Sequence, residues 1–171
     1  KLVNSIFQAI TLRTAGFAAI DQAALRDASA GVGILNMFIG GSPASTAGGI
    51  KTTTFAVLII LIISDIHNRQ DVEVFNRRIN IKLVRKAVTI TLLALSRISV
   101  ISILIMISTN KAFLDVLYEV ASAFGTVGVS RNVTPSLNIF SKILIILTMY
   151  VGRTGLITVL IAMNVNARSE E

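Results

Sequence analysis

The sequence has no cysteine, a single histidine, and charge on only 15% of its 171 residues. Without cysteine there is no disulfide framework, no thiolate chemistry and no cysteine metal site, and the redox compartment stays open. His67 cannot build a zinc site alone. No acid pair, nucleophile–base pair or metal-ligand cluster stands out, so an enzyme is not expected. Nor does Lys1 open a charged-then-apolar leader ending in a small-residue cleavage site. The chain is expected to be a piece of a longer polypeptide, beginning inside a repeat.

Apolar bulk takes the place of charge. Hydrophobic residues make up 53% of the chain and the mean hydropathy is +0.76. That is too much apolar surface for one soluble core of this length, and it points to a membrane. The net charge of +7 raises the question of nucleic acid. The basic residues, however, gather at the ends of hydrophobic runs and in one polar loop, a distribution that fits membrane topology and no nucleic-acid partner.

Residues 4–13 are apolar but too few to cross a bilayer of about 30 Å, which takes about 20 helical residues. They read as a re-entrant half-helix whose C-terminal end points partial negative charge at the Thr14-Ala15-Gly16-Phe17 turn. Arg13 at that end is expected to satisfy the last helix carbonyls. Residues 18–27 carry Asp21, Arg26 and Asp27 and should meet water. Residues 28–66 would run to about 60 Å as one straight helix, roughly twice the hydrocarbon thickness. The span must break, and the break is visible at residues 40–49, where glycines, Pro43 and small hydroxyl residues replace apolar bulk. Irregular backbone at membrane depth has to pack in protein or line a watery cavity, so this loop is expected to face a pore.

Two motifs in this region mislead. The stretch 41–52 has Ile50 where a phosphate-binding loop needs glycine before its lysine, and Gly31-x-Gly33 has Asn36 where a dinucleotide fingerprint needs its third glycine. Both lie in apolar spans, and the small residues suit close helix packing.

Residues 67–86 form a polar loop rich in Arg and Lys, placed in the cytoplasm by the positive-inside rule. Residues 87–108 can cross once, with Arg97 near their middle. Residues 113–124 repeat the half-span, and 137–165 form the last long span, carrying Gly152-Arg153-Thr154-Gly155. Arg168, Glu170 and Glu171 would then end the chain in the cytoplasm.

Between the second half-span and the last long span lies Ala123-Phe124-Gly125-Thr126-Val127-Gly128-Val129-Ser130. Thr126-Val127-Gly128 matches the run that turns backbone carbonyls inward in potassium-channel filters, where they replace the hydration shell of the ion. Glycine suits such a turn because an inward carbonyl pushes its residue toward positive φ. Thr14-Ala15-Gly16-Phe17 repeats the pattern, again after a half-span and before a long hydrophobic run. Helix-ending glycines are the plain alternative, but the paired context favours filters. The expected fold is an all-α membrane protein of repeated outer helix, re-entrant pore helix with filter loop, and inner helix. About one and a half repeats are present, of the four that would encircle an ion: 1–66 as a unit lacking its outer helix, 67–86 as the cytoplasmic loop, and 87–171 as a complete unit with its tail.

Three motifs together resemble the membrane subunits of the Trk/Ktr/HKT superfamily, most closely the bacterial Ktr type. They are Thr11 to Phe17 (TLRTAGF), Gly40 to Thr54 (GGSPASTAGGIKTTT) and Ser122 to Ser130 (SAFGTVGVS), joined by Met149 to Arg153 in the last helix. The resemblance covers nearly the whole chain and matches the C-terminal half of such a subunit. It implies K+ as cargo, with Na+ as the alternative, and no organic cofactor on this chain. It further implies filter residues Thr14, Ala15, Gly16, Phe17, Thr126, Val127, Gly128 and Val129. The gate would comprise Gly40, Gly41, Ser42, Ser45, Thr46, Gly48, Gly49 and Lys51, with Arg153 opposite. As partners it implies the upstream half of the same subunit, a second copy in a homodimer, and a cytosolic nucleotide-binding regulatory ring, all at a multi-pass position in the plasma membrane. Arg131 and Arg97 depart from what the resemblance leads one to expect. The competing functions are an alternating-access carrier, which also uses broken helices at the midplane, and a non-conducting structural membrane protein.

Overall fold

The computed structural model describes residues 2–43, 45–67, 71–74 and 77–155. Expectations for the end of the last span and the tail with Arg168, Glu170 and Glu171, and for Ala44 and Arg69, lie outside these residues. Among the described residues there are six α-helices: α1 (Leu2–Thr11), α2 (Asp27–Phe38), α3 (Thr52–Ile66), α4 (Ile81–Thr109), α5 (Phe113–Phe124) and α6 (Ile139–Thr154). Between α3 and α4 a short antiparallel hairpin pairs β1 (Glu73–Val74) with β2 (Arg77–Arg78).

Two of the helices open where an asparagine side chain satisfies a free N–H. Asn80 Oδ1 accepts from Lys82 N–H to open α4, and Asn138 Oδ1 accepts from Ser141 N–H to open α6. Asn110, with φ of 53°, closes α4 in the left-handed region that asparagine tolerates. The Asn80 cap starts α4 earlier than residue 87. Lys82, Arg85 and Lys86 therefore ride on the first turns of a helix, where the polar loop was expected to extend to 86. Likewise α6 begins at Ile139, because Leu137 ends a 3₁₀ turn at Thr134–Ser136.

At about 1.5 Å per residue the ten residues of α1 and twelve of α5 reach about 15 and 18 Å, well short of a bilayer core. Among the described residues α4 alone, with 29 residues, is long and apolar enough to cross.

Helix α5 is the hub, packing on α2, α4 and α6. Every residue from Tyr118 to Phe124 is buried. Its sequence supports this, because Ala121, Ser122 and Ala123 let neighbouring backbones close in. One side of α5, Val116, Val120, Ala123 and Phe124, enters a core with Ala94, Ile98, Ile101 and Ile105 of α4. The other side, Tyr118 and Ala121, packs with Leu12, Ala30 and Met37. Outer faces are apolar and exposed, including Ile139, Ile143 and Ile146 on α6 and Ile62 and Ile66 on α3. Faces of that kind belong against lipid or another part of the protein.

A polar knot joins the two half-length helices. The fully buried Tyr118 hydroxyl donates to Gln22 Oε1 at 2.9 Å, and Gln22 exchanges hydrogen bonds with Gln8 of α1. Tyr118→Phe removes the donor while keeping the ring. It is expected to cost about 1 kcal/mol, read as a lowered unfolding temperature in detergent. An unchanged temperature would mean that the knot contributes nothing.

Candidate ion pathway

Both glycine turns follow a half-length helix and share an unusual backbone. In the first, Thr14 and Gly16 have φ of 65° and 75°; in the second, Thr126 and Gly128 have φ of 54° and 92°. Glycine takes such angles freely, whereas a β-branched threonine does so only when its surroundings impose it. In each turn the two left-handed residues are separated by one other, Ala15 in the first and Val127 in the second. The helices hold the turns in place. Thr11 Oγ1 of α1 donates to Phe17 O at 2.7 Å, and Gly128 N–H donates to Ser122 Oγ of α5 at 3.1 Å. Val127 and Val129 anchor the second turn by burying their side chains in the core.

The two turns touch. A Cβ added to Gly16 would lie 2.1 Å from the carbonyl oxygen of Val127, while one added to Gly128 would meet nothing within 4 Å in this chain. Phe17 is exposed, and its carbonyl is occupied by the Thr11 hydroxyl.

The broken span is α2, a loop and α3. The loop ends are joined by Gly40 N–H donating to Ile50 O and Ile50 N–H to Phe38 O, at 2.8 and 3.0 Å. Gly40 is required here, because a Cβ would fall 1.8 Å from Gly48 O. The far side of the loop abuts the base of the second turn. Gly48 N–H donates to Thr126 Oγ1 at 3.0 Å and Gly49 N–H to Phe124 O at 3.2 Å. Helix α6 reaches the same point, since a Cβ on Gly152 would sit 2.1 Å from Phe124 O.

Three successive loop carbonyls are taken by two cations. Lys51 Nζ donates to Ser45 O and Ala47 O at 3.1 and 2.8 Å, and Arg153 Nη1 donates to Thr46 O between them. The loop therefore presents N–H groups to the glycine turn and carbonyls to the cations. The loop hydroxyls take no part in this grip: the Ser45 hydroxyl donates to Ser42 O, and Ser42, Ser45 and Thr46 are exposed. A cavity of about 200 Å³ separates the loop from α6, lined among others by Gly49, Lys51, Phe124 and Arg153.

The other two arginines flagged in the sequence find protein partners. Arg97 Nη2 donates to Leu147 O of α6 at 3.4 Å. Arg131 is drawn into the protein between Asp27 and Asp115. Sequence reasoning did not connect Tyr118 with Gln22, or Arg131 with its carboxylates. The only local signal was a polar residue inside an apolar run.

Short half-helices that return through glycine turns, an irregular loop held inside the helices and apolar outer faces define the class: a helical membrane protein with a structured break at its centre. The model of the TrkH family, described as cation transport protein, matches residues 1–171, and the chain belongs to that family, whose members are transporters and not enzymes. It is 37% identical over 158 residues to the Ktr system potassium uptake protein B of Bacillus subtilis, covering 92% of this chain and 36% of that protein. It is 37% identical over 175 residues to the potassium/sodium uptake protein NtpJ of Enterococcus hirae, covering 100% of this chain and 39% of that protein. With the Ktr system potassium uptake protein B of Vibrio alginolyticus it shares 32% over 154 residues, covering 90% of this chain and 34% of that one. The chain thus spans somewhat over a third of the length of these relatives.

Proposed function

We propose that this chain supplies the third and fourth pore units of a membrane subunit that translocates K+, with residues 14–17 and 126–129 as filter turns and the 40–51 loop as gate. The observation that carries the reading is the contact of two turns with the same left-handed alternation, Gly16 lying against the Val127 carbonyl. Carbonyls arranged in this way can replace the water of a K+ ion, the cargo in this reading. Two turns do not encircle an ion, so two further units come from the upstream part of the same subunit. Relatives named as potassium uptake proteins support K+, and the one named for potassium and sodium keeps Na+ as a second cargo.

The loop fits a gate because it sits against Thr126 and Phe124 at the base of the filter turn, held from below by Lys51 and Arg153. The naming of relatives as parts of a Ktr system supports a regulatory component. Within this proposal that component is a cytosolic nucleotide-binding ring acting on a homodimer in the plasma membrane, with the 67–86 segment and the C-terminus on the cytoplasmic side.

The test is K+ uptake by a full-length subunit containing this chain, expressed in cells that lack other K+ uptake and compared with empty cells. Absence of K+ or Na+ flux from protein present in the membrane would overturn the reading. A second measurement addresses the gate. Deleting residues 42–47 removes the carbonyls held by Lys51 and Arg153, and flux is expected to rise several-fold. Unchanged or lower flux from a correctly folded deletion would count against a gate.

A further inference from the structure

Arg131 lies three residues beyond Gly128, and from the sequence alone its charge would stand at the mouth of the pathway. The fold takes it elsewhere. Its side chain is only 8% exposed. The guanidinium reaches Asp27 Oδ1 at 3.4 Å, Leu25 O at 3.2 Å and Asp115 Oδ1 at 3.2 Å. Asp27 opens α2 and Asp115 sits in the first turn of α5. Each carboxylate is favoured at a helix N-terminus by the helix dipole, and one guanidinium bridges both. The flat, five-donor group is suited to this, since it can address two carboxylates and a carbonyl from one fixed plane.

The position of this bridge matters for the turn. The loop contacts Thr126 and Phe124 at the start of the second turn, whereas Arg131 holds the segment that leaves it. The two ends are therefore fixed by different elements. Behind the same segment Thr134 Oγ1 donates to the buried carboxylate of Glu119 and lies 3.0 Å from Ser130 Oγ. With its exit tied to α2, which follows the first glycine turn, the second turn is kept in register with the first.

We infer that Arg131 is a positioning residue for the second glycine turn, clasping it to the unit that carries the first through Asp27 and Asp115 and so sharpening discrimination between K+ and Na+. This rests on the filter reading above. A guanidinium that is itself only 8% exposed, shared by two helices through an exposed Asp27 and a partly exposed Asp115, restrains carbonyl positions without offering its charge to a passing ion.

The experiment measures the ratio of K+ to Na+ uptake by the full-length subunit and by Arg131→Gln, Arg131→Lys, Asp115→Asn and Arg131→Gln/Asp115→Asn variants, at matched amounts in the membrane. Arg131→Gln is expected to lower the ratio on the order of tenfold, the scale of one lost charge-assisted hydrogen bond. Arg131→Lys should recover part of it, because an ammonium keeps the charge without the fork. Asp115→Asn should fall in the same direction, and the double variant no lower than Arg131→Gln, since the ion pair that Asp115→Asn weakens is already lost in Arg131→Gln. An unchanged ratio in Arg131→Gln, or independent additive losses in the double variant, would overturn the clasp. Should Arg131→Gln not reach the membrane, Asp115→Asn decides by the same criterion. If the unmodified subunit carries no K+, the filter reading fails by itself. The clasp is then judged by a double-mutant cycle of thermal unfolding on Arg131 and Asp115 in detergent, where coupling supports it and its absence overturns it.

Discussion

Replacing Gly16 by serine is expected to abolish the preference for K+, and to do so more completely than the same change at Gly128. Two costs coincide at Gly16. Its φ of 75° lies in the left-handed region, where a side chain costs roughly 1–2 kcal/mol. The added Cβ would also stand 2.1 Å from Val127 O, so the carbonyl of the second turn has to move. A displaced backbone oxygen changes the very group that, in the proposed filter, stands in for water around the ion. At Gly128 the φ of 92° imposes the first cost, but this chain leaves space for the side chain. Uptake kinetics should therefore show the ratio of apparent K+ to Na+ affinity falling by at least about tenfold for Gly16→Ser, with a smaller fall for Gly128→Ser. If both apparent affinities in Gly16→Ser stay at the unmodified values, Gly16 does not line a filter.

The second large effect is expected at Arg153. Its guanidinium holds the carbonyl of Thr46, the middle one of three in a row, while Lys51 holds those on either side. A backbone loop inside a membrane protein needs such donors, because unpaired carbonyls at that depth are costly. Removing the guanidinium frees one carbonyl and also removes a positive charge from the cavity beside the second turn, a charge that in the proposed pathway repels a cation leaving the filter. Arg153→Gln is expected to raise K+ flux several-fold in reconstituted protein and to loosen control by any regulatory partner. Arg153→Lys should keep part of the barrier, since charge survives without the planar fork. Combining Arg153→Gln with Lys51→Gln should raise flux beyond either change alone, because the three carbonyls are then released together. Should Arg153→Gln conduct like the unmodified protein and alter only folding yield, Arg153 is structural and the latch is wrong.

Several of these residues could be picked out before any coordinates. Gly16 and Gly128 stood in matching turns, the 40–49 loop announced itself by glycine and small hydroxyl residues, and Arg153 was conspicuous as a charge inside an apolar run. Their partners were a different matter. Nothing local in Thr14 or Thr126 signals a positive φ, because the angle is imposed by the hydrogen bonds around each turn and not by threonine itself. Nothing beside Lys51 in the sequence says where its ammonium ends, and it closes on the loop next to it. Arg131 departed from what the resemblance led one to expect, and its guanidinium is held by two carboxylates, one of them 104 residues away in the chain.

The sequence by itself determined that the chain is a helical membrane protein, where its spans break and which glycines form the turns. Those properties follow from sums over neighbouring residues: apolar excess over a window, too few residues to cross, and glycine where a side chain is not tolerated. Only the tertiary structure decided that the two turns touch, that the loop turns its N–H groups to one of them and its carbonyls to Lys51 and Arg153, and that Arg131 bridges two helix starts. The reason is that a buried polar group must find a partner. Chain sequence states the need, but which donor meets which acceptor depends on distances across helices that are far apart along it.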